Sequence, residues 1–161
     1  MNMPTKILTI IGLLFAGAVH PFDKPIVDKT LSLDLASTNS FKKLAPKINE
    51  VWIYCIDSPM DMRKPLDYSR SSPTAVLKGN EVADFIRALG AMGDRDRAVV
   101  NSRKNIYYAC FVFFDAQTSK LPAYLWCSVF VDGHSYVNFY SDADSVGGYN
   151  GDLAFFLSKK I

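Results

Sequence analysis

The chain has 161 residues, 18 Lys and Arg against 16 Asp and Glu, and a hydrophobic fraction of 49%. That near-neutral balance gives no electrostatic footprint for nucleic acid or an anionic membrane surface, and the apolar content is too high for a disordered tail. With three cysteines, two histidines and no C-x-x-C pair, thiol redox catalysis and a cysteine-based zinc site are poorly supported.

Residues 1–18 have the make-up of an export signal. Lys6 supplies the positive start, residues 7–15 form a short apolar core, and Ala16-Gly17-Ala18 fits the small-x-small cleavage pattern. The apolar run falls short of the roughly 20 residues of a spanning helix. Cleavage after Ala18 is expected, with an uncleaved anchor as the alternative. That leaves a single domain over residues 19–161, periplasmic or secreted. Cleavage one residue later would expose His20 as a copper-chelating terminus, but Gly17 and Val19 make a poorer recognition pair.

Residues 30–35 alternate Leu31, Leu33 and Leu35 with Ser32 and Asp34, the period of a short strand. Ser40 is placed to cap a helical turn through Phe41 and Leu44, which Pro46 ends. Ser40 and Lys43 also have S-x-x-K spacing, a nucleophile beside its base, but the companion S-D-N and K-T-G elements are missing. Residues 50–57 read as a strand apolar on both sides, hence interior to a sheet.

Residues 58–73 break all periodicity and hold Pro59, Pro65 and Pro73 together with Arg63, Lys64, Tyr68 and Arg70. Loops this long are usually functional or disordered; this one reads as a binding loop or a solvated excursion. Residues 74–77 suggest a short strand. Asn80 is a good helix cap, and Val82, Phe85, Ile86 and Leu89 follow at i, i+3, i+4, i+7, one apolar stripe. Gly90 or Gly93 ends that helix. The next stretch, with Arg95, Arg97, Arg103 and Lys104 among acidic and polar neighbours, reads as a solvated loop.

Most of the aromatic mass lies in residues 106–141, which read as three strands and two reversals. Asp132-Gly133 is a strong two-residue hairpin signal. It sets Val129 opposite Tyr136 and Cys127 opposite Asn138, so Trp126, Ser128, Phe130, Val137 and Phe139 share a face. The stripe of helix 80–90 should dock there. The other face then carries Leu125, Cys127, Val129, Tyr136 and Tyr140, joined by Tyr108, Cys110 and Val112. It is apolar as well, so it is covered by the N-terminal part of the chain or offered to a partner. If Asp115 pairs with Pro122, Cys110 lies opposite Cys127 and a disulfide between them closes; otherwise all three cysteines are buried thiols.

Asp142, Asp144 and Gly147 have the spacing that opens a calcium loop, but Val146 and Leu153 occupy positions that need oxygen ligands. A last helix is expected over 151–159, with Leu153, Phe156 and Leu157 on one side. His134 stands two residues from Asp132, yet both flank a turn glycine that wants Asp for backbone reasons. G-x-S-x-G and H-E-x-x-H are both missing.

The fold expected is α+β: a mainly antiparallel sheet of four to six strands with helices 80–90 and 151–159 on one face. The function expected is non-catalytic recognition of another macromolecule, of the inhibitor or immunity type, through Arg63, Lys64, Tyr68, Arg70, Tyr108, Tyr136 and Tyr140. A small exported hydrolase, or a small-ligand binder with its site under loop 58–73, is the alternative. No cofactor is implied.

Overall fold

The computed structural model describes residues 26–56, 65, 67–90, 105–130, 135–140 and 146–160. Helix α1 (Lys29–Ala36) opens at Asp28, whose Oδ1 accepts the Leu31 N–H at 3.0 Å. Ser37 closes α1 and opens helix α2 (Thr38–Leu44). A 3₁₀ turn (Ala45–Lys47) containing Pro46 leads into strand β1 (Ile48–Ile56). Strand β2 (Ala75–Lys78) and helix α3 (Asn80–Gly90) follow. The C-terminal part holds strands β3 (Asn105–Phe114), β4 (Ala123–Phe130), β5 (Ser135–Phe139) and β6 (Val146–Tyr149), then helix α4 (Gly151–Lys160). The strands form one antiparallel sheet in the order β2-β1-β3-β4-β5-β6, so the α+β architecture is as expected. Among the described residues no helix is long and apolar enough to cross a membrane.

All four helices pack on one face of this sheet. Leu35 of α1, Leu44 of α2, Val82, Phe85 and Leu89 of α3, and Leu153 and Leu157 of α4 share a core with Val51, Ile53, Tyr108, Cys110, Val112, Leu125, Cys127, Val137 and Phe139. Gly90 lets α2 come close: a Cβ there would lie 3.0 Å from Phe41 Cε1. The other face carries Tyr54, Ala109, Phe111, Tyr124 and Trp126 in a smaller core closed by Val27. β1 is thus apolar on both sides and interior, as its sequence indicates.

Several local expectations are corrected. Residues 30–35 are helical, not extended. Only Leu31 and Leu35, one helical turn apart, meet the core, while Leu33 is 38% exposed. The Asp28 cap and the buried Ser32 decide the matter: Ser32 Oγ donates to the Asp28 carbonyl at 2.7 Å and accepts the Tyr124 N–H at 2.8 Å. α2 starts before Ser40, and Gly79 replaces Asn80 as the residue before α3. Gly79 has φ +55°, which glycine adopts without strain, and its carbonyl accepts the Val82 and Ala83 N–H groups. β6 had no sequence counterpart. It pairs Gly147 and Gly148 with Asn138 and Val137, and two glycines carry no strand signal.

Both hairpin registers also differ. β3 pairs with β4 as Tyr108↔Cys127 and Cys110↔Leu125, two residues from the expected alignment. Asp115 is not a strand residue: its Oδ1 accepts the Thr118 N–H at 2.8 Å and its carbonyl accepts from Thr118 and Ser119, winding residues 115–119 into a turn. Pro122, which has no N–H to give, accepts the Asp28 N–H at 2.8 Å instead. β4 pairs with β5 as Cys127↔Val137 and Val129↔Ser135, one residue from the register a two-residue turn at Asp132-Gly133 would impose. That turn lies outside the described residues. The one-residue change moves Val137 and Phe139 to the Cys127 side, so α3 docks on the Cys127 face and not on the Trp126 face.

Asn150 holds the C-terminal helix in place. Its Oδ1 accepts the Leu153 N–H at 2.8 Å, and its Nδ2 donates to the Ala88 and Leu89 carbonyls at 2.9 and 3.2 Å, with only 2% of the residue exposed. Asn150→Ala removes a helix cap and leaves buried groups unpaired, at about 2 kcal/mol. A urea titration should show a lower midpoint with an unchanged slope.

Candidate functional site: a helix-free aromatic face

Strand pairing builds this face row by row. Trp52 pairs with Phe111, Phe111 with Tyr124, and the Tyr140 N–H donates to the Tyr124 carbonyl at 3.1 Å. One row of aromatic residues therefore crosses the sheet. The adjacent row is Tyr54, Ala109, Trp126 and Asn138. The rings touch along the row: Phe111 and Tyr124 have centroids 5.0 Å apart, Tyr124 and Tyr140 5.9 Å, Tyr54 and Phe111 5.5 Å, and Trp52 and Phe113 5.0 Å. Edge-to-face and tilted pairs at these distances add to the burial itself.

Two chain segments cover the face. Ile26 and Val27 lie against it on the way to α1. Tyr68, from the long loop, sits 5.0 Å from Phe111, 5.6 Å from Phe113 and 6.0 Å from Trp52. The Tyr54 hydroxyl is 3.3 Å from both the Tyr68 and Ser71 carbonyls, which ties that part of the loop down. Among the described residues no helix contributes to this layer. Phe111 and Tyr124 are fully buried, whereas Trp52, Tyr68, Tyr107, Phe113 and Tyr140 keep part of their surface.

Polar groups are few and mostly at the rim. Trp52 Nε1 donates to Glu50 Oε1 at 2.6 Å, and Lys78 lies 3.5 Å from the same carboxylate. Lys29 Nζ stands 5.6 Å from the centroid of the Tyr140 ring. The Tyr124 hydroxyl is buried and has no hydrogen-bond partner among the described residues. Burial raises the pKa of Tyr124, Tyr54 and Tyr68 above the ordinary 10.0. This chemistry suits recognition by apolar and π contact; among the described residues no acid, base and nucleophile converge on it.

The expected binding residues divide. Tyr68 and Tyr140 both belong to the aromatic face, linked through Phe111 and Tyr124. Tyr108 does not: it is 4% exposed beneath the helices, which pack on the face it shares with Cys127. Arg70 is exposed and paired with Asp67 at 2.8 Å. The Tyr136 backbone pairs with Ser128. Arg63 and Lys64 lie outside the described residues, as do His20, Arg95, Arg97, Arg103, Lys104, Asp132, His134, Asp142 and Asp144. Ser40 and Lys43 sit within α2, Lys43 exposed. Trp52, Phe111, Phe113 and Tyr124 were not foreseen as site residues; they follow once the strand registers are known.

The expected Cys110–Cys127 disulfide is not formed, and none of the three cysteines is disulfide-bonded. The two-residue difference in register makes Cys110 and Cys127 diagonal neighbours, with Leu125 and Tyr108 as their cross-strand partners. Diagonal positions are about 7–8 Å apart, at the limit of what a disulfide can bridge. Burial pushes the Cys127 thiol up to about 12 and the Cys110 thiol well above its usual value, so neither is a nucleophile at neutral pH. Among the described residues no group of His, Cys, Asp and Glu could hold a metal ion. No family model, curated protein or solved structure matches this chain.

Two outcomes follow from these environments. Cys110 and Cys127 should resist alkylation in the folded protein near neutral pH and react once it is unfolded in urea; a mass deficit of two hydrogens after oxidation would instead reveal a bond. The raised phenol pKa values set the sign of the alkaline response. Above the ordinary value of 10.0 the folded state keeps protons that the unfolded state releases, so their contribution is whole below that value and is lost as pH rises. The urea midpoint should therefore fall between about pH 8 and about pH 11, with phenolate absorbance lagging behind that of the unfolded chain.

Proposed function

We propose that this chain is an exported, non-catalytic binding domain that recognises a protein partner through the aromatic face of its sheet. The observation that carries the reading is the half-buried rim of Trp52, Tyr68, Tyr107, Phe113 and Tyr140 on the face that no described helix covers. Aromatic side chains are the favoured anchors of protein interfaces because they bury large areas at low entropic cost. The same rings lie on a rigid paired sheet, so little ordering is needed on binding. Export is supported by Lys6, the apolar run 7–15 and Ala16-Gly17-Ala18.

The test uses the immobilised protein and the envelope and secreted fractions of its source. A partner of this face should resist high salt, since the contact is apolar. The double variant Phe113→Ser/Tyr140→Ser should weaken retention roughly tenfold or more while the protein still unfolds cooperatively. Lys42→Glu/Lys43→Glu, on α2 at the opposite face, should change nothing. Equal retention by the aromatic variant would remove this face from the interaction.

A further inference from the structure

A second surface stands on the helical side, between α3 and α4. Its groove encloses about 460 Å³ and is lined by Ala88, Phe155 and Phe156 with Asp84, Arg87, Asp152, Lys159 and Lys160 around them. Phe155 is 63% exposed, the most exposed large hydrophobic side chain among the described residues. It is not needed by the fold: the core stripe of α4 is Leu153 and Leu157, both fully buried, and Phe156 packs 6.1 Å from Phe85.

The order of charges along α4 names the occupant. Asp152, Phe155, Phe156 and Lys159 recur at i, i+3, i+4 and i+7, one continuous stripe beside the core stripe. The midpoint between Asp152 and Lys159 falls between the two phenylalanines. If a second α4 is laid antiparallel across the first about that midpoint, each Asp152 comes level with the other copy's Lys159. Each Phe155 then comes level with the other copy's Phe156, over that copy's groove. A two-fold interface requires this reciprocity, in which residue i meets j and j meets i. Lys160 is committed within its own chain to Glu81, whose carboxyl it holds below the usual range. Lys159 Nζ lies 4.0 Å from the centroid of its own Phe155 ring, already over the apolar centre of the stripe. Among the described residues Asp152 makes no ion pair. We infer that α4 is a self-complementary contact through which two copies of this chain associate, Phe155 against Phe156 and Asp152 against Lys159. The contact lies on the helical side, so the aromatic face of each copy stays clear of it.

The experiment is sedimentation equilibrium of the full chain over a wide concentration range, for the parent, Phe155→Glu, Asp152→Lys and Lys159→Asp. The parent should form a dimer, and each variant should raise the dissociation constant at least tenfold. Phe155→Glu places charge at the centre; each single reversal sets like charges opposite one another twice. An equimolar mixture of Asp152→Lys and Lys159→Asp restores both pairs in a mixed dimer, so it should recover association that neither variant shows alone. Because recovery needs folded protein, it separates a lost contact from a lost fold. A parent that stays monomeric, including one whose groove takes a different protein, overturns the inference. So do single variants that dimerise as the parent does, or a mixture that remains monomeric.

Discussion

A strand that is apolar on both sides must find cover on both sides, and in this protein β1, β3 and β4 are all of that kind. The helices do not divide the task. All four pack over the face built from Val51, Ile53, Cys110, Leu125 and Phe139. Among the described residues the other face is covered by short segments, Ile26-Val27 and Tyr68, which cover less than a helix would. The sequence answers with rings instead of aliphatic side chains on that face. Phe111, Tyr124 and Trp126 bury one another laterally, as Trp52 and Phe113 do, so the layer supplies part of its own cover. The molecule therefore has one dry, aliphatic core and one thin, aromatic one.

The elements were more legible than their alignment. Seven of them follow from composition and period: β1, β2, α3, β3, β4, β5 and α4. Pairing depends on where a turn begins, and that is settled by single side chains. Asp115 withdraws five residues into a turn, and the β3–β4 register shifts by two. A shift of two keeps each residue on its face but separates Cys110 from Cys127. The one-residue difference between β4 and β5 reverses faces, which is why Val137 and Phe139 leave Trp126 and join Cys127. α1 was ambiguous for another reason. Three leucines at alternate positions suit a strand, yet two of them also lie one helical turn apart, and the Asp28 cap and the buried Ser32 choose between these readings. The aromatic site was legible as a stock of residues and not as a surface, because a surface is a statement about register.

Three polar residues, Asp28 half-buried and Ser32 and Asn150 buried, do work that no apolar pattern announces. Asp28 caps a helix with Oδ1, accepts the Ser119 hydroxyl at 3.2 Å with Oδ2, and donates its N–H to Pro122. Ser32, within α1, satisfies the Tyr124 N–H at the start of β4. Asn150 joins the last turn of α3 to the first of α4. Each fixes an angle between elements that hydrophobic contact alone would leave free to slide. The Tyr124 hydroxyl, without a partner among the described residues, is the exception, tolerated where the ring's own packing outweighs one lost hydrogen bond.

The stitches made by Asp28 and Ser32 also carry a consequence in time. They join residues 91 and 92 positions apart in the chain. On a chain made from its N-terminus, α1 has no seat until β4 exists, and the central strands must assemble before the segment that precedes them can dock. Contacts of such long separation form late, because loop closure has to be met before they contribute. Helix α1 is therefore made early and seated late, and its apolar side waits for β4 throughout the interval.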